Sequence, residues 1–231
     1  MISVIIVNYR VKEKILKCLN SIYLFATNIS LEVIVVDNDE KDVLSKDLNL
    51  KFSKVKYINS KKNVGFGAAN NLGANQAKGK YLFFLNPDTL IQKDTTEQLY
   101  KFIEKNRNTG IVSPLLVDEN QRSFDSQSRK ELTPLTSILS FSFLRKIFPR
   151  KSIYNDDFFK NWDKRTPIEV DAVPGAAFMI SKDLFYKIGG FDEKFFLYFE
   201  ENDISKRVRS LGYKIFVIPD LTITKLWSTY N

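Results

Sequence analysis

The 231-residue sequence contains no histidine and a single cysteine, Cys18. These two features exclude a Ser-His-Asp triad, a Cys-His nucleophile, a zinc site built from histidines or paired cysteines, and an intramolecular disulfide. An enzyme with this composition has to work with carboxylates, amines, hydroxyls and amides. A bound metal ion would need hard oxygen ligands, which favours Mg²⁺ or Mn²⁺.

Long apolar runs are also lacking. The longest, such as Tyr81–Leu85, fall far short of the ~20 residues that span a bilayer. The start, Met1–Val4, has no basic stretch followed by an apolar one, so we expect no signal peptide. We therefore expect a cytoplasmic protein, which agrees with the low cysteine content.

The charge balance is basic, with 35 Lys+Arg against 27 Asp+Glu and a formal net charge of +8. This charge allows nucleic acid, an anionic membrane face or a phosphorylated small molecule as partner, and by itself it does not choose among them. Hydrophobic residues at 44% and charged residues at 27% are typical of a globular chain and exclude a fibre or a disordered tail. The length fits one large domain.

Short β-branched runs alternate with amphipathic stretches along the chain. Strands are predicted near 3–7, 32–36, 54–58, 81–85, 111–113, 177–180, 214–218 and 221–226. Helices are predicted near 15–23, 68–77, 94–106, 182–187 and 199–211. This order predicts an α/β fold with a mostly parallel central sheet and helices on both faces. In such a sheet the ligand site lies beyond the carboxyl ends of the strands.

The β-α alternation breaks between residues 126 and 167. Between Arg129 and Lys151 this segment carries six basic residues and one acid, Glu131, among many apolar side chains. A basic amphipathic segment resting on a membrane face would have this pattern. An insertion that packs on the domain with its lysines in water would have it equally, and the sequence does not favour either interpretation.

Three polar clusters follow predicted strands and should meet at one edge of the sheet, which favours a ligand site over separate surface loops. The clusters are Asn8-Tyr9-Arg10, Asp37-Asn38-Asp39 and Asn86-Pro87-Asp88-Thr89. Asp88, held at the strand exit by Pro87, could bind Mg²⁺ or Mn²⁺ against a diphosphate. Alone, Asp88 would be read as the start of a turn. The neighbouring polar clusters favour the metal interpretation.

The glycine-containing stretch Gly65-Phe66-Gly67 invites comparison with a dinucleotide-binding loop. That fingerprint belongs directly after the first strand and needs a third glycine, where this chain has Asn70. The glycines nevertheless allow the backbone to approach another group closely. A nucleotide-sugar pocket therefore fits better than an NAD site.

Two adjacent acids, Glu200 and Glu201, follow the aromatic run 195–199 and open a predicted helix. Acids in a first turn complement the helix dipole, and Asp203 with Arg207 four residues later is an ordinary surface pair. A carboxyl beside aromatic walls has a raised pKa, which suits a general base. Because adjacent helical residues point about 100° apart, we expect only one of the two glutamates to face a substrate.

Together these stretches resemble family 2 glycosyltransferases, and most closely the rhamnosyltransferase-like branch of bacterial surface polysaccharide synthesis. The matching stretches are 3–9, 35–38, 63–71, 85–88, 189–193 and 198–207. The resemblance implies a GT-A fold and an inverting transfer from a nucleoside-diphosphate sugar to an acceptor hydroxyl. It implies one domain, residues 1–231, with a nucleotide-sugar-binding half (1–115), the basic insertion (126–167) and an acceptor and catalytic half (168–231).

The resemblance also implies a role for each matching residue. Donor binding is assigned to Asn8, Tyr9, Arg10, Asp37, Asn38, Gly65, Phe66, Gly67, Asn70, Asn86 and Lys225. Acceptor binding is assigned to Gly175, Asp192 and Tyr198, although an N-cap or turn role explains Asp192 equally well. Asp88 inherits the metal role, and the catalytic pair reads Glu200-Glu201 with Glu201 at the position of the base.

Two residues depart from the family pattern. Glu201 stands where the family has Asp, and Lys225 stands where it often has a metal-binding His. A protonated lysine cannot bind a cation, but it could neutralise a leaving diphosphate directly. The sequence therefore leaves two possibilities open: an active enzyme with weakened metal dependence, and a degenerate sugar-nucleotide-binding protein or partner subunit.

The partners implied are a dTDP- or UDP-sugar, with rhamnose as one candidate sugar, and a saccharide acceptor carried on a lipid. Such an acceptor would place the protein peripherally on the inner face of the cell membrane. A nucleic-acid-binding protein is the rival that the charge suggests. We expect no nucleic-acid partner, because the chain has no aromatic-plus-basic motif of a known module.

Overall fold

The computed structural model describes residues 1–25, 29–124 and 162–226. These residues form one nine-stranded sheet with helices on both faces. The strands are β1 (Ile2–Asn8), β2 (Leu31–Asp37), β3 (Lys56–Asn59), β4 (Tyr81–Leu85), β5 (Thr89–Ile91), β6 (Thr109–Val117), β7 (Ile168–Glu169), β8 (Ala177–Ser181) and β9 (Lys214–Lys225). The helices are α1 (Lys12–Phe25), α2 (Ser45–Lys51), α3 (Phe66–Asn75), α4 (Thr95–Lys105), α5 (Lys182–Lys187) and α6 (Glu200–Ser210).

The first half of the sheet is parallel, in the order β3-β2-β1-β4. All seven residues of β1 are buried, with Val4 and Ile6 on one face and Ile5 and Val7 on the other. A strand buried on both faces reads as a continuous apolar run, which is how the sequence predicted it. The predicted α/β class is confirmed.

The second half of the sheet is mixed, so the parallel arrangement predicted for most of the sheet holds for the first four strands and for the pair β6 and β9. β8 lies between β4 and β6 and is antiparallel to both, whereas β6 and β9 are parallel. The apolar run of β8 is buried in the same way as that of a parallel strand. Strand direction is not encoded in such a run, because helices cover both faces of the sheet here.

The last strand of the described sheet, β9, is a single strand, whereas the sequence predicted two strands, near 214–218 and 221–226. Pro219 suggested a break, because proline cannot donate a hydrogen bond to a neighbouring strand. In the structure β9 continues past it with a change of register against β6: Pro114 pairs with Ile218 and Leu115 with Thr222. The residues between are accommodated as an irregularity, and the strand then carries Lys225 to the start of β5, where it pairs with Thr89.

The helices form two layers. Ile15 of α1 and Leu99 of α4 pack into one hydrophobic core, and Ala69 of α3 and Ile204 of α6 pack into the core on the other face. The strand β5 and the helix α2, with three and seven residues, were not predicted. Both are too short for a hydrophobic period to show in the sequence.

The three predicted polar clusters meet at one edge of the sheet. β1 and β2 are in register up to the pair Asn8 and Asp37, and β4 pairs with β1 on its other side up to Leu85. With neighbouring strands ~4.8 Å apart, Asp37 and the residues after β4 lie about 10 Å from each other. This part of the sequence-based prediction is confirmed.

Most of the basic insertion predicted at 126–167 lies outside the described residues, which resume at Trp162. The indole N–H of Trp162 donates to the carbonyl of Thr166 at 2.9 Å. Among the helices that the structure describes, none combines the length and the apolar character needed to cross a membrane.

Replacing Gly73 with valine should destabilise the protein. A Cβ at Gly73 would lie 2.5 Å from Cγ2 of Ile5 and 3.2 Å from Cγ2 of Val36, both in the sheet core. Because this packing leaves no space, we expect Gly73→Val to lower the free energy of unfolding by about 2 kcal/mol or more. Denaturant unfolding followed by circular dichroism measures the difference.

The matched control is Leu72→Val in the same helix, at a side chain that is 38% exposed. This control changes helix propensity and a little burial, so its loss should stay within about 1 kcal/mol. Equal stability of the two variants would contradict the close approach of α3 to β1.

Candidate active site

A cleft of about 400 Å³ opens at the edge where the strands end. Seven residues predicted for the site line it together: Phe66, Asn86, Gly175, Tyr198, Glu200, Glu201 and Lys225. They come from the start of α3, the end of β4, the loop before β8, the start of α6 and the end of β9. The cleft therefore brings both halves of the chain into one site.

One wall of the cleft is the N-terminus of α6. Tyr198 and Phe199 adopt left-handed backbone conformations, with φ of 73° and 71°, and α6 begins directly after them. Glu200 and Glu201 both line the cleft. That only one of them faces a substrate stays a prediction. Glu200 is 3% exposed, and Glu201 is half-buried.

The surroundings of the Glu200 carboxyl disfavour its charged form. Burial, and to a smaller extent the charge of Glu201, raise the pKa of the Glu200 carboxyl above its ordinary value, and backbone hydrogen bonds at Glu200 and Tyr198 oppose the shift. Its Oε1 has no hydrogen-bond partner among the described residues. A buried acceptor without a partner costs free energy, so this oxygen is a candidate for contact with a ligand.

Glu201 lies against the loop that precedes β8. A Cβ placed at Gly175 would be 3.5 Å from Cβ of Glu201 and 3.7 Å from its Oε2. The amide of Asn202 donates to the other carboxylate oxygen at 3.0 Å. Glycine at 175 thus keeps the space beside the Glu201 carboxylate free of a side chain from that loop position.

The opposite wall carries the end of β4. Among the described residues, Oδ1 of Asn86 and Oδ1 of Asp88 are buried without a hydrogen-bond partner. The backbone of this segment is fixed, because the N–H of Asn86 donates to Ala176 and the carbonyl of Asp88 accepts from Leu226 at 2.7 Å. The backbone that carries these two side chains is therefore tied to the residue before β8 and the residue after β9.

These oxygens fit a divalent cation. The described residues contain no group of three acidic, cysteine or histidine side chains that could hold a metal ion by themselves. Two hard oxygens suffice when diphosphate oxygens and water supply the other ligands, as Mg²⁺ commonly accepts.

Lys225 adds a positive charge to the same cleft. It pairs with Thr89, the residue directly after Asp88, across the two antiparallel strands β5 and β9. No ion pair joins Lys225 to an acid in the parts of the chain described here. Its ammonium group is thus available to an anionic ligand.

Asp37 lies at the end of β2 but does not reach the solvent. Its Oδ1 accepts from the amide of Asn8 at 2.9 Å and from the backbone N–H of Asp39 at 3.2 Å, and the Tyr57 hydroxyl lies 2.9 Å from its Oδ2. The carboxylate is fully buried. Asp37 and Asn8 therefore organise this corner of the site in the ligand-free chain.

Tyr9 and Arg10 are exposed beside that corner, and the buried Asp39 lies next to them. The Arg10 guanidinium lies 4.9 Å from the Tyr9 ring centre and its Nε lies 3.6 Å from Oδ1 of Asp39. Arg10 has a left-handed backbone, φ 58°, which turns the chain after β1. Asp39 was not assigned a role from the sequence, although it belongs to one of the polar clusters.

The glycine loop is tied to two other parts of the site. The amide of Asn38 donates to the carbonyl of Gly65 at 3.1 Å, and the N–H of Phe66 donates to the carbonyl of Phe196 at 3.0 Å. Gly65 has φ 91°, and a Cβ there would meet the Phe196 oxygen at 2.8 Å. At Gly67 a Cβ would be 3.2 Å from Cβ of Phe191.

Ten of the predicted site residues are not among those that line the cleft: Asn8, Tyr9, Arg10, Asp37, Asn38, Gly65, Gly67, Asn70, Asp88 and Asp192. Asn70 is 1% exposed, and its amide donates to the carbonyl of Phe66 within α3, as a structural residue does. Asp192 accepts from the backbone N–H of Lys194, which is the turn role that the sequence left open. Asn71, which was not predicted, bonds to the N–H and carbonyl of Phe191 and so attaches α3 to the segment before α6.

Comparison with known proteins identifies the family. The model of glycosyl transferase family 2 matches residues 3–189, most of the chain. The chain belongs to this family. Rhamnosyltransferase WbbL of Escherichia coli (strain K12) is 28% identical over 95% of this chain and 81% of its own length.

Two further relatives are matched over most of this chain. The low-salt glycan biosynthesis hexosyltransferase Agl10 of Haloferax volcanii is 28% identical over 90% of this chain and 61% of Agl10. The dTDP-rhamnosyl transferase RfbF of Shigella flexneri is 24% identical over 89% of this chain and 63% of RfbF. The chain thus spans less than two thirds of the length of these two relatives.

Solved structures confirm the GT-A fold. GalNAc-T7 with UDP, GalNAc and Mn²⁺ superposes with a TM-score of 0.71 at 18% identity, over 98% of this chain and 44% of GalNAc-T7. The mannosyltransferase PcManGT of Pyrobaculum calidifontis with GDP-Man and Mn²⁺ has a TM-score of 0.69 at 16% identity, over 100% of this chain and 58% of PcManGT. At these identities the likeness concerns the fold alone.

The raised pKa of Glu200 predicts how stability depends on pH. Because the folded state binds the Glu200 proton more tightly than the unfolded state, this residue's contribution to stability falls as the pH rises above the ordinary value of 4.5. Glu200→Gln removes that loss. We expect the melting temperature of the variant to match or exceed that of the wild type above this pH, with the difference shrinking below it.

Thermal unfolding between pH 4 and pH 8 measures this difference. Glu119→Gln, at an exposed glutamate, is the control and should run parallel to the wild type. A wild type that gains stability relative to Glu200→Gln as the pH rises would refute the raised pKa.

Proposed function

We propose that this chain transfers a sugar from a nucleoside-diphosphate sugar to a hydroxyl of a saccharide, with inversion at the anomeric carbon, in the synthesis of cell-surface polysaccharide. The observation that carries this proposal is that Glu201, Asn86 and Lys225 line one cleft of a family 2 chain. A single displacement needs a base that deprotonates the acceptor hydroxyl and groups that neutralise the leaving diphosphate.

Glu201 is the proposed base. Its carboxylate takes the proton of the acceptor hydroxyl as the hydroxyl oxygen bonds to the anomeric carbon and the bond from that carbon to the diphosphate oxygen breaks. Attack from the side opposite the leaving group inverts the configuration. Glutamate reaches one methylene further than the family's aspartate, and the small residue Gly175 beside it leaves room for that longer side chain.

The leaving diphosphate is proposed to lie between Asn86, Asp88 and Lys225. Asp88, with a weaker contribution from Asn86, would hold Mg²⁺ or Mn²⁺, which supplies charge neutralisation for the departing phosphates. The Lys225 ammonium binds phosphate oxygens directly, so that part of the neutralisation comes from the chain itself. This arrangement makes metal dependence weaker than in a site with a histidine at that position.

The nucleoside is proposed to occupy the corner formed by Asn8, Tyr9, Arg10, Asp37 and Asn38. The backbone of Gly65 and Gly67 and the side chain of Phe66 are proposed to line another side of this nucleoside corner. dTDP and UDP are the proposed nucleotides, and rhamnose is the proposed sugar because WbbL and RfbF are named rhamnosyltransferases.

The acceptor is proposed to enter past Gly175 and the exposed Tyr198, which is 72% solvent-accessible. Asp192 is proposed to help position the acceptor from the turn in which it accepts the N–H of Lys194. A lipid-linked saccharide is the proposed acceptor, with the basic insertion at 126–167 resting on the inner face of the membrane. We therefore propose that the chain works in the cytoplasm as a peripheral protein on that membrane face.

A sugar-nucleotide-binding protein without transferase activity is the second candidate. It is favoured by the two positions, Glu201 and Lys225, at which the chain departs from the family pattern.

Glu201→Gln should slow transfer by about 10²- to 10⁴-fold, because the amide cannot accept the proton, while the Kd of the donor stays unchanged. Asp88→Asn should slow transfer about tenfold or more and weaken donor binding in Mn²⁺. Initial rates with radiolabelled donor, together with calorimetry, separate the two effects. Glu119→Gln is the exposed control, and if both cleft variants fold and transfer at wild-type rates, the assignment is wrong.

The donor itself should emerge from thermal unfolding with UDP-, dTDP- and GDP-sugars, each with and without Mn²⁺. Stabilisation scales with RT ln(1 + [L]/Kd), or about 2.7 kcal/mol at 100 times Kd. We expect one donor class to stabilise the chain, and to retain part of the effect with EDTA because of Lys225. Donor binding without transfer to any acceptor would favour the second candidate function.

A further inference from the structure

Glu200 is the most deeply buried acid of the cleft, and it has no counterpart in the proposed displacement. It is 3% exposed, its Oε1 has no hydrogen-bond partner among the described residues, and it lines the cleft next to Glu201. Buried acceptors are normally paired. An unpaired one at a ligand cleft points to a donor that arrives with the ligand.

The surroundings of Glu200 fix the direction of its carboxyl group. Backbone N–H groups at Glu200 and Tyr198 act on the carboxyl, and no cationic side chain is among the groups that shift it. Its Cγ lies 3.8 Å from the position of a Cβ at Gly67, so α3 closes one side. The carboxyl of this cleft-lining residue thus keeps one buried oxygen without a partner among the described residues.

The chemistry of a nucleoside-diphosphate sugar decides which part could supply the donor. The diphosphate has only acceptor oxygens, and its charge is repelled by the glutamate pair and attracted by Lys225. The nucleoside belongs to the corner of Asn8 and Asp37, at the end of β1 and β2. The hydroxyl groups of the transferred sugar are the donors that remain.

We propose that Oε1 of Glu200 accepts a hydrogen bond from a ring hydroxyl of the transferred sugar and selects donors that carry this hydroxyl. The inference rests on the proposed sugar-transfer function and adds the residue that recognises the transferred sugar. Glu200 and Glu201 then have separate tasks, since one holds the donor sugar and the other takes the acceptor proton. A site built to bind a hydroxyl rejects analogues that lack it.

Calorimetry tests the proposal with two probes, the nucleoside diphosphate (UDP, dTDP or GDP) and the matching sugar conjugate selected by thermal unfolding. For Glu200→Ala, the Kd of the nucleoside diphosphate should stay within about twofold of wild type. The Kd of the sugar conjugate should weaken about tenfold to hundredfold, the range for a lost hydrogen bond to a charged group. Glu119→Ala, at an exposed glutamate outside the cleft, should change neither value.

Sugar conjugates that lack single ring hydroxyls identify the contact. For the wild type, removal of one particular hydroxyl should weaken binding about tenfold or more, and in Glu200→Ala the same removal should have no further effect. Glu200→Gln keeps an acceptor oxygen and should restore part of the discrimination. Ligand-free Glu200→Gln should be at least as stable as the wild type, because it no longer buries an unpaired carboxylate.

The outcomes distinguish a failure of the proposed Glu200 role from a failure of the proposed sugar-transfer function. If no nucleoside-diphosphate sugar binds the wild type, the proposed function fails. If the sugar conjugate binds and Glu200→Ala leaves its affinity and its hydroxyl dependence unchanged, the role of Glu200 is wrong. If Glu200→Ala weakens the nucleoside diphosphate and its sugar conjugate equally, or loses stability, Glu200 is structural.

Discussion

One backbone hydrogen bond, from the N–H of Phe66 to the carbonyl of Phe196, holds the two walls of the cleft together. It joins the glycine loop before α3 to the aromatic segment before α6, which are 130 residues apart in the chain. The contact requires glycine at 65, because a side chain there would collide with the same carbonyl oxygen. The placement of Glu200 and Glu201 relative to the glycine loop depends on this contact and on the bonds between Asn71 and Phe191.

The charges of the cleft are separated in space. Two carboxylates stand at the start of α6, where the helix dipole favours them, and Lys225 stands across the cleft at the end of β9. Under the proposed function, a diphosphate would be attracted to the lysine and a hydroxyl would be deprotonated at the carboxylates, which would give donor and acceptor a defined orientation. The longer β9 that results from the register change at Pro219 is what brings the lysine to this position.

Much of this architecture was predictable from the sequence, for a physical reason. Buried strands are continuous apolar runs, and parallel neighbours end at the same edge, so the meeting of Asn8, Asp37 and Asn86 followed from periodicity. Strand direction did not follow, since the apolar run of β8 is the same in either direction. The enclosure of Asp37 did not follow either, because its partner Tyr57 comes from another strand and residue spacing carries no record of that pairing.

The pair Tyr198 and Phe199 has a consequence for motion. Side chains other than glycine pay roughly 1–3 kcal/mol each to hold left-handed backbone angles, and both rings here are half or more exposed, so little packing repays that cost. The hydrogen bond between Phe66 and Phe196, and those from the first turn of α6 to the Phe199 carbonyl, therefore have to hold these angles against that cost. A change that removes either contact would free the backbone that carries Tyr198 at the cleft wall.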